Sequence, residues 1–183
     1  MTSFQIAAVS LLGVVAVARL GEVAFSAPRA RDAEREIWWP AMVATHFGVI
    51  AGSFADVVFD GTPPPEWLII LAAAVLAAAT ALRVWVLRAL RGNWNVRVVA
   101  PRAIVTGGPY AFIRHPNYLA VILEVAALPL IVGAYEVAVA GTLANAAVLA
   151  LRIPFEEERL SRVPDYRATM LQRPRLIPRL RRR

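Results

Sequence analysis

Gly107-Gly108-Pro109-Tyr110-Ala111-Phe112-Ile113-Arg114-His115-Pro116-Asn117-Tyr118 is the stretch on which the reading of this chain turns. In a sequence that is 58% apolar, it gathers turn formers, aromatics, a cation and an imidazole. Gly107, Gly108 and Pro109 punctuate the backbone, and Pro116 suits the first turn of a following helix, where its missing N–H costs nothing. The residues beyond are apolar, so the partly positive, amide-rich start of that helix would lie beside Arg114 and His115 at a membrane surface. Such an end suits an anion. A plain loop anchored to lipid headgroups by its arginine has the same composition, so the choice depends on a second stretch downstream.

Working outward, 183 residues fit one domain, and a mean hydropathy of +0.56 with Ala/Val/Leu runs puts the chain among membrane proteins. The formal charge of +7 comes entirely from arginine, since there is no lysine. The arginines cluster beside apolar spans, which favours a membrane surface over nucleic acid as their partner. Without cysteine there are no disulfides, thiolate metal sites or cysteine nucleophile, and two histidines without HExxH spacing argue against zinc. No metal is expected. The first residues, Met1-Thr2-Ser3-Phe4-Gln5, carry no basic cluster, so the first apolar run is expected to be a retained span.

The pattern predicts an all-α integral membrane protein with about five transmembrane helices. The spans run from Phe4 to about Ala27, Trp38 to about Val58, Trp67 to about Leu87, Tyr118 to about Gly133 and Val137 to about Leu151. The last two form a tight helical hairpin. Residues 1–87 hold three spans and 88–183 form the catalytic half of a single domain. Arg29–Glu36 is a charged loop, Asp56–Glu66 an acidic turn, and the segment 88–115 holds five arginines and no carboxylate. Counting positive charges puts that segment and the basic tail in the cytoplasm and the acidic turn outside. The expected location is multi-pass in a bacterial cytoplasmic membrane. A cofactor pocket is expected on the cytoplasmic side, built from the 100–118 loop and the basic C-terminal segment.

The second informative stretch is Arg152-Ile153-Pro154-Phe155-Glu156-Glu157-Glu158. Arg152 and Glu156 share a helix face, and Asn145 lies seven residues earlier on the same stripe. Pro154 should kink the helix there and swing Glu157 toward that face. Three consecutive carboxylates also describe a solvated helix end. Within the spans, His46 and Glu124 are costly to bury unpaired and should meet a partner or line a cavity. Arg19 and Glu22, three apart, form a structural pair on one helical face.

Together, G-P-Y-x-x-x-R-H-P-x-Y at 108–118 and R-I-x-x-E-E at 152–157, followed by Tyr166 and Arg175-Leu176-Ile177-Pro178, resemble the isoprenylcysteine carboxyl methyltransferase family. That family groups with the phospholipid methyltransferases as integral membrane, S-adenosyl-L-methionine-dependent enzymes. The first half, with Arg19-Leu20-Gly21-Glu22 and Met42-Val43-Ala44-Thr45-His46, is similar to a bacterial branch associated with type III polyketide synthases, which O-methylates alkylpyrones or alkylresorcinols. The resemblance implies that Gly108, Pro109, Tyr110, Arg114, His115, Pro116 and Tyr118, with Glu156, hold the cofactor. It implies Arg152 and Glu157 at the reacting end. His46 is a candidate base for an acceptor hydroxyl, with a hydrogen-bonded core histidine as the alternative. Ala120 departs from the glycine, and Met170 from the second tail tyrosine, that many members carry.

The expected activity is methyl transfer to an oxygen of a lipophilic acceptor at the membrane interface, either an alkylated phenol or pyrone or an isoprenylcysteine-like carboxylate. The expected partners are that acceptor and membrane lipids, not nucleic acid, with the oligomeric state open. An NADPH-dependent sterol reductase would share an R-H-P-x-Y-like stretch, but its cysteine- and lysine-containing motifs have no counterpart here. A non-catalytic scaffold or transport subunit would explain the hydropathy and not the paired motifs.

Overall fold

The computed structural model describes residues 1–26, 38–90 and 104–178. The expected loop at 29–36, most of the loop preceding Thr106 and the last residues of the tail lie outside them. Among the described residues there are six α-helices and no strand: α1 Ser3–Ser26, α2 Trp38–Phe59, α3 Glu66–Leu90, α4 Pro116–Ile131, α5 Tyr135–Leu160 and α6 Pro164–Thr169, with a 3-10 turn at Gly108–Ala111. α1, α2, α3 and α5 are long and apolar enough to cross a membrane. α4 has 16 residues, about 24 Å of rise, and is shorter than the hydrocarbon layer. The protein is a multi-pass integral membrane protein. Large apolar side chains such as Val14, Val17, Ile70, Val139 and Leu143 face outward, as they must where lipid is the solvent.

Two boundaries differ from the sequence reading. α2 runs to Phe59, so Asp56 belongs to the helix and not to the acidic turn. α5 continues through Pro154 to Leu160, so Arg152 lies about two turns and Glu156 about one turn before its end, inside the helix rather than at the exit. A proline removes one backbone bond, and the Glu-rich, Arg-containing stretch that follows has high helix propensity, so the helix survives it.

Packing joins the two halves of the chain: α3 lies on α4, and α2 on both α1 and α5. α2 and α5 are antiparallel, with a register marked by Gly141, where an added Cβ would overlap Val49. Far from the motifs, Ala8, Leu12, Ile50, Val57, Leu128 and Val132 form the largest apolar cluster. Near them, Tyr118, Leu149 and Ile153 pack with Met42, Ile122 and Leu176. The two motifs, through Tyr118 and Ile153, therefore share a packed floor.

Candidate functional site

The loop that opens the site rests on the end of α3. Gly108 has φ of 61°, and a Cβ there would press on Ala89 and Trp85, so glycine answers both a backbone and a packing demand. Pro109 is buried, and its carbonyl accepts the Phe112 and Ile113 amides at 3.2 and 3.4 Å. Pro116 begins α4 at the first helical position, as its chemistry suggests. The tail folds back over this corner. Its Pro174 and Arg175 carbonyls accept the Arg114 and His115 amides at 2.9 and 3.0 Å, and Arg173 donates to the Thr106 carbonyl at 3.0 Å and to that of Tyr110. Those two amides thus serve the tail and are not open to an anion.

Glu157 is the electrostatic centre of the corner. It is buried and meets His115 Nε2 at 2.9 Å, Arg114 Nη1 at 3.0 Å and Arg175 Nη2 at 2.8 Å. One carboxylate thereby ties α5 to the first motif and to the tail. Its neighbour Glu156 is only half-buried and receives the Tyr118 hydroxyl. The Tyr118 ring stacks on His115 at 5.4 Å, and the Arg152 guanidinium carbon lies 5.7 Å from the ring centre. Arg152 is buried and also touches the Met42 sulfur. Burial, then the charge of Glu156, pushes the Tyr110 hydroxyl up; burial, then Glu157 and Glu156, pushes Tyr166 up to about 12. Both stay phenols across pH 5–9, so neither Tyr110 nor Tyr166 acts as a base there.

The structure brings Arg114, His115, Tyr118, Arg152, Glu156 and Glu157 into one connected corner, with Gly108, Pro109, Tyr110 and Pro116 supporting it. His46 is elsewhere. It lies one helical turn beyond Met42, with its Nε2 3.8 Å from Glu124. Glu124 also meets Arg19 Nε at 3.1 Å and Arg83 Nη1 at 3.7 Å, and Arg83 Nε donates to Glu22 at 2.9 Å. The Arg19–Glu22 pair is present at 2.6 Å but is part of this larger network. Arg19, His46, Arg83 and Glu124 stand seven or eight residues from the same-side ends of α1–α4, about 10–12 Å along the helices, and Glu22 lies one turn nearer the end of α1. Two guanidiniums balance two carboxylates, which is what burial at that depth requires.

Sequence reasoning passed over Arg83, although a lone cation inside an apolar run is a signal in its own right. It also passed over Asn117 in the first turn of α4, whose buried Oδ1 has no hydrogen-bond partner. The two departures from the family pattern are both absorbed. Ala120 is fully buried, and buried Met170 accepts a contact from Arg173 at 3.2 Å, so the sulfur helps hold the tail.

A model of the isoprenylcysteine carboxyl methyltransferase family matches residues 69–162, just over half of the chain and inclusive of both motifs. The chain belongs to that family. This isoprenylcysteine carboxyl methyltransferase family member is also similar to the uncharacterized protein YpbQ of Bacillus subtilis (strain 168). The two are 28% identical over 159 residues, covering 82% of this chain and 94% of the relative. Family membership implies a membrane methyltransferase. Among the described residues no group of three or more histidine, aspartate or glutamate side chains could hold a metal ion.

Proposed function

We propose that the protein transfers a methyl group from S-adenosyl-L-methionine to an oxygen of a lipophilic acceptor at the membrane interface. The observation that carries this is the division of labour between two adjacent carboxylates. Glu157 is held by Arg114, His115 and Arg175, whereas Glu156 is half-exposed and, among the described residues, receives the Tyr118 hydroxyl. An oriented, accessible carboxylate suits the ammonium of an amino-acid cofactor, and the first turn of α4 holds a further unpaired acceptor, Asn117 Oδ1. The donor set therefore fits this cofactor. When bound, the cofactor supplies an electrophilic methyl group on a sulfonium.

The remaining work falls to the chain. Gly108, Pro109, Tyr110, Arg114, His115, Pro116 and Tyr118 shape and hold the cofactor pocket, with Glu157 fixing the loop and tail around it. Arg152, on the same face as Glu156 and against Tyr118, orients the acceptor oxygen; a planar fork does this better than a point charge. Placement is the main contribution, since in-line transfer needs the nucleophile held in reach. His46 stays a candidate base for a hydroxyl acceptor only where that hydroxyl reaches one helical turn beyond Met42, whose sulfur Arg152 touches. An aliphatic tail on the acceptor stays in lipid while its head enters the site. The basic tail faces the cytoplasm, in keeping with the arginine distribution.

Isothermal calorimetry on detergent-purified protein tests the reading. S-adenosylhomocysteine is expected to bind at micromolar levels, and Glu156→Ala should weaken it by about tenfold, the scale of one charge-assisted hydrogen bond. Binding of NADPH in its place would contradict the proposal.

A further inference from the structure

Met42 belongs to α2, one turn from its start, and lies outside the residues 69–162 that the family model matches. Its sulfur receives Arg152 Nη1, and its side chain packs on the cluster of Tyr118, Leu149 and Ile153. The antiparallel register that sets Gly141 on Val49 brings Met42 toward this end of α5. Arg152 leans to meet it, since helical side chains point toward the N-terminus of their helix. Arg152 is only 2% exposed, and its guanidinium carbon lies 5.7 Å from the Tyr118 ring centre. A thioether is a weak, polarisable acceptor. It takes a guanidinium proton without cancelling the charge, whereas a carboxylate in its place would cancel it. The fork is thereby steadied at one corner and keeps its attraction for an oxygen that carries negative charge.

We propose that Met42 is a positioning residue for methyl transfer: its sulfur sets the plane of the Arg152 guanidinium toward the acceptor oxygen. A guanidinium turned out of that plane offers one N–H where two are needed, and transfer rates are sensitive to such misplacement. This rests on the reading of Arg152 given above. It adds a residue from the part of the chain that the family model leaves unmatched.

Two substitutions of similar volume separate positioning from packing. Met42→Leu keeps the packing and removes the acceptor, whereas Met42→Gln supplies an acceptor and packs less well among apolar neighbours. Transfer of labelled methyl from S-adenosyl-L-methionine to an alkylresorcinol is measured on the full chain in detergent, with S-adenosylhomocysteine affinity and thermal midpoint on the same samples. Met42→Leu should lower kcat by about tenfold, the scale of one hydrogen bond to a charged group, with affinity and midpoint near wild type. Met42→Gln should recover most of the rate at a lower midpoint. The reverse order, full turnover with leucine and a deficit with glutamine, would make Met42 a packing residue and overturn the proposal. Equal turnover by all three proteins overturns it as well.

A second measurement needs no turnover. Hydrogen peroxide oxidises methionine to its sulfoxide through a sulfur lone pair, and at Met42 the sulfur is engaged by Arg152. In Arg152→Leu, Met42 should oxidise several-fold faster than in wild type, read by peptide mass spectrometry against exposed Met1. Arg152→Ala serves if leucine prevents folding. An unchanged Met42 rate overturns the proposal. Absence of methyl transfer by wild type counts against the methyltransferase reading instead, and the oxidation rates then decide for Met42.

Discussion

Tyr118 joins the two motifs through three of its surfaces. Its ring stacks on His115, its hydroxyl reaches Glu156, and the Arg152 guanidinium lies 5.7 Å from its ring centre. The residues that make these contacts were legible in the sequence because each is a local signal: a proline at a helix start, an aromatic beside a cation, a run of carboxylates. Arg83 was not. Its position inside α3 is intelligible only once Glu22 of α1 and Glu124 of α4 are known to surround it, and such pairing is long-range. The network makes a prediction at this scale. Glu124→Leu leaves Arg19 and Arg83 without one of their two balancing carboxylates, and should cost about 3–5 kcal/mol of stability. Replacing Arg19 by leucine as well should recover part of that loss. Thermal unfolding in detergent reads both. An unchanged midpoint for the single variant would mean that the network is solvated and not structural.

At the level of elements, the spans followed from apolar run length, and the hairpin of α4 and α5 from the short connection between two apolar segments. The passage of α5 through Pro154 was expected only as a kinked continuation, and its extent to Leu160 was not. A proline signals a break, but its cost is one bond and a local clash, and the packing of Ile153 and the anchoring of Glu157 outweigh it. The extra turns matter, because they carry Glu156 and Glu157 on a rigid helix rather than on a loop. They also give the tail its anchor. Arg173 and Arg175 bring it over the first motif, where two backbone bonds fasten it. Glu157→Gln removes the charge that Arg114, His115 and Arg175 share. Limited proteolysis should then cut after the tail arginines several-fold faster than in wild type. Equal cleavage rates would show that the backbone bonds alone hold the tail.

Across the whole molecule, polar chemistry is stacked in two layers on one side of the bundle. The upper layer is the corner of Tyr118, Arg152, Glu156 and Glu157; the lower is the charge network of α1–α4, with His46 in it. A cavity lined by Ile122, Leu149, Leu176 and Asn145 lies beside the upper layer, between α4, α5 and the tail. Family membership, fold class and the pairing of motifs were within reach of the sequence. The depth relation between the layers was not, since it depends on the antiparallel register of α2 on α5. The central claim is that the corner performs methyl transfer and that Arg152 acts on the acceptor rather than on the cofactor. Transfer of labelled methyl from S-adenosyl-L-methionine to an alkylresorcinol, by wild type and Arg152→Lys, tests this most directly when S-adenosylhomocysteine affinity is measured on the same samples. The account predicts cofactor affinity within a few-fold and transfer reduced by ~10²-fold or more, because a flexible ammonium cannot reproduce a planar two-point contact. Full turnover by Arg152→Lys, or no transfer by wild type to any lipophilic oxygen acceptor, would contradict it.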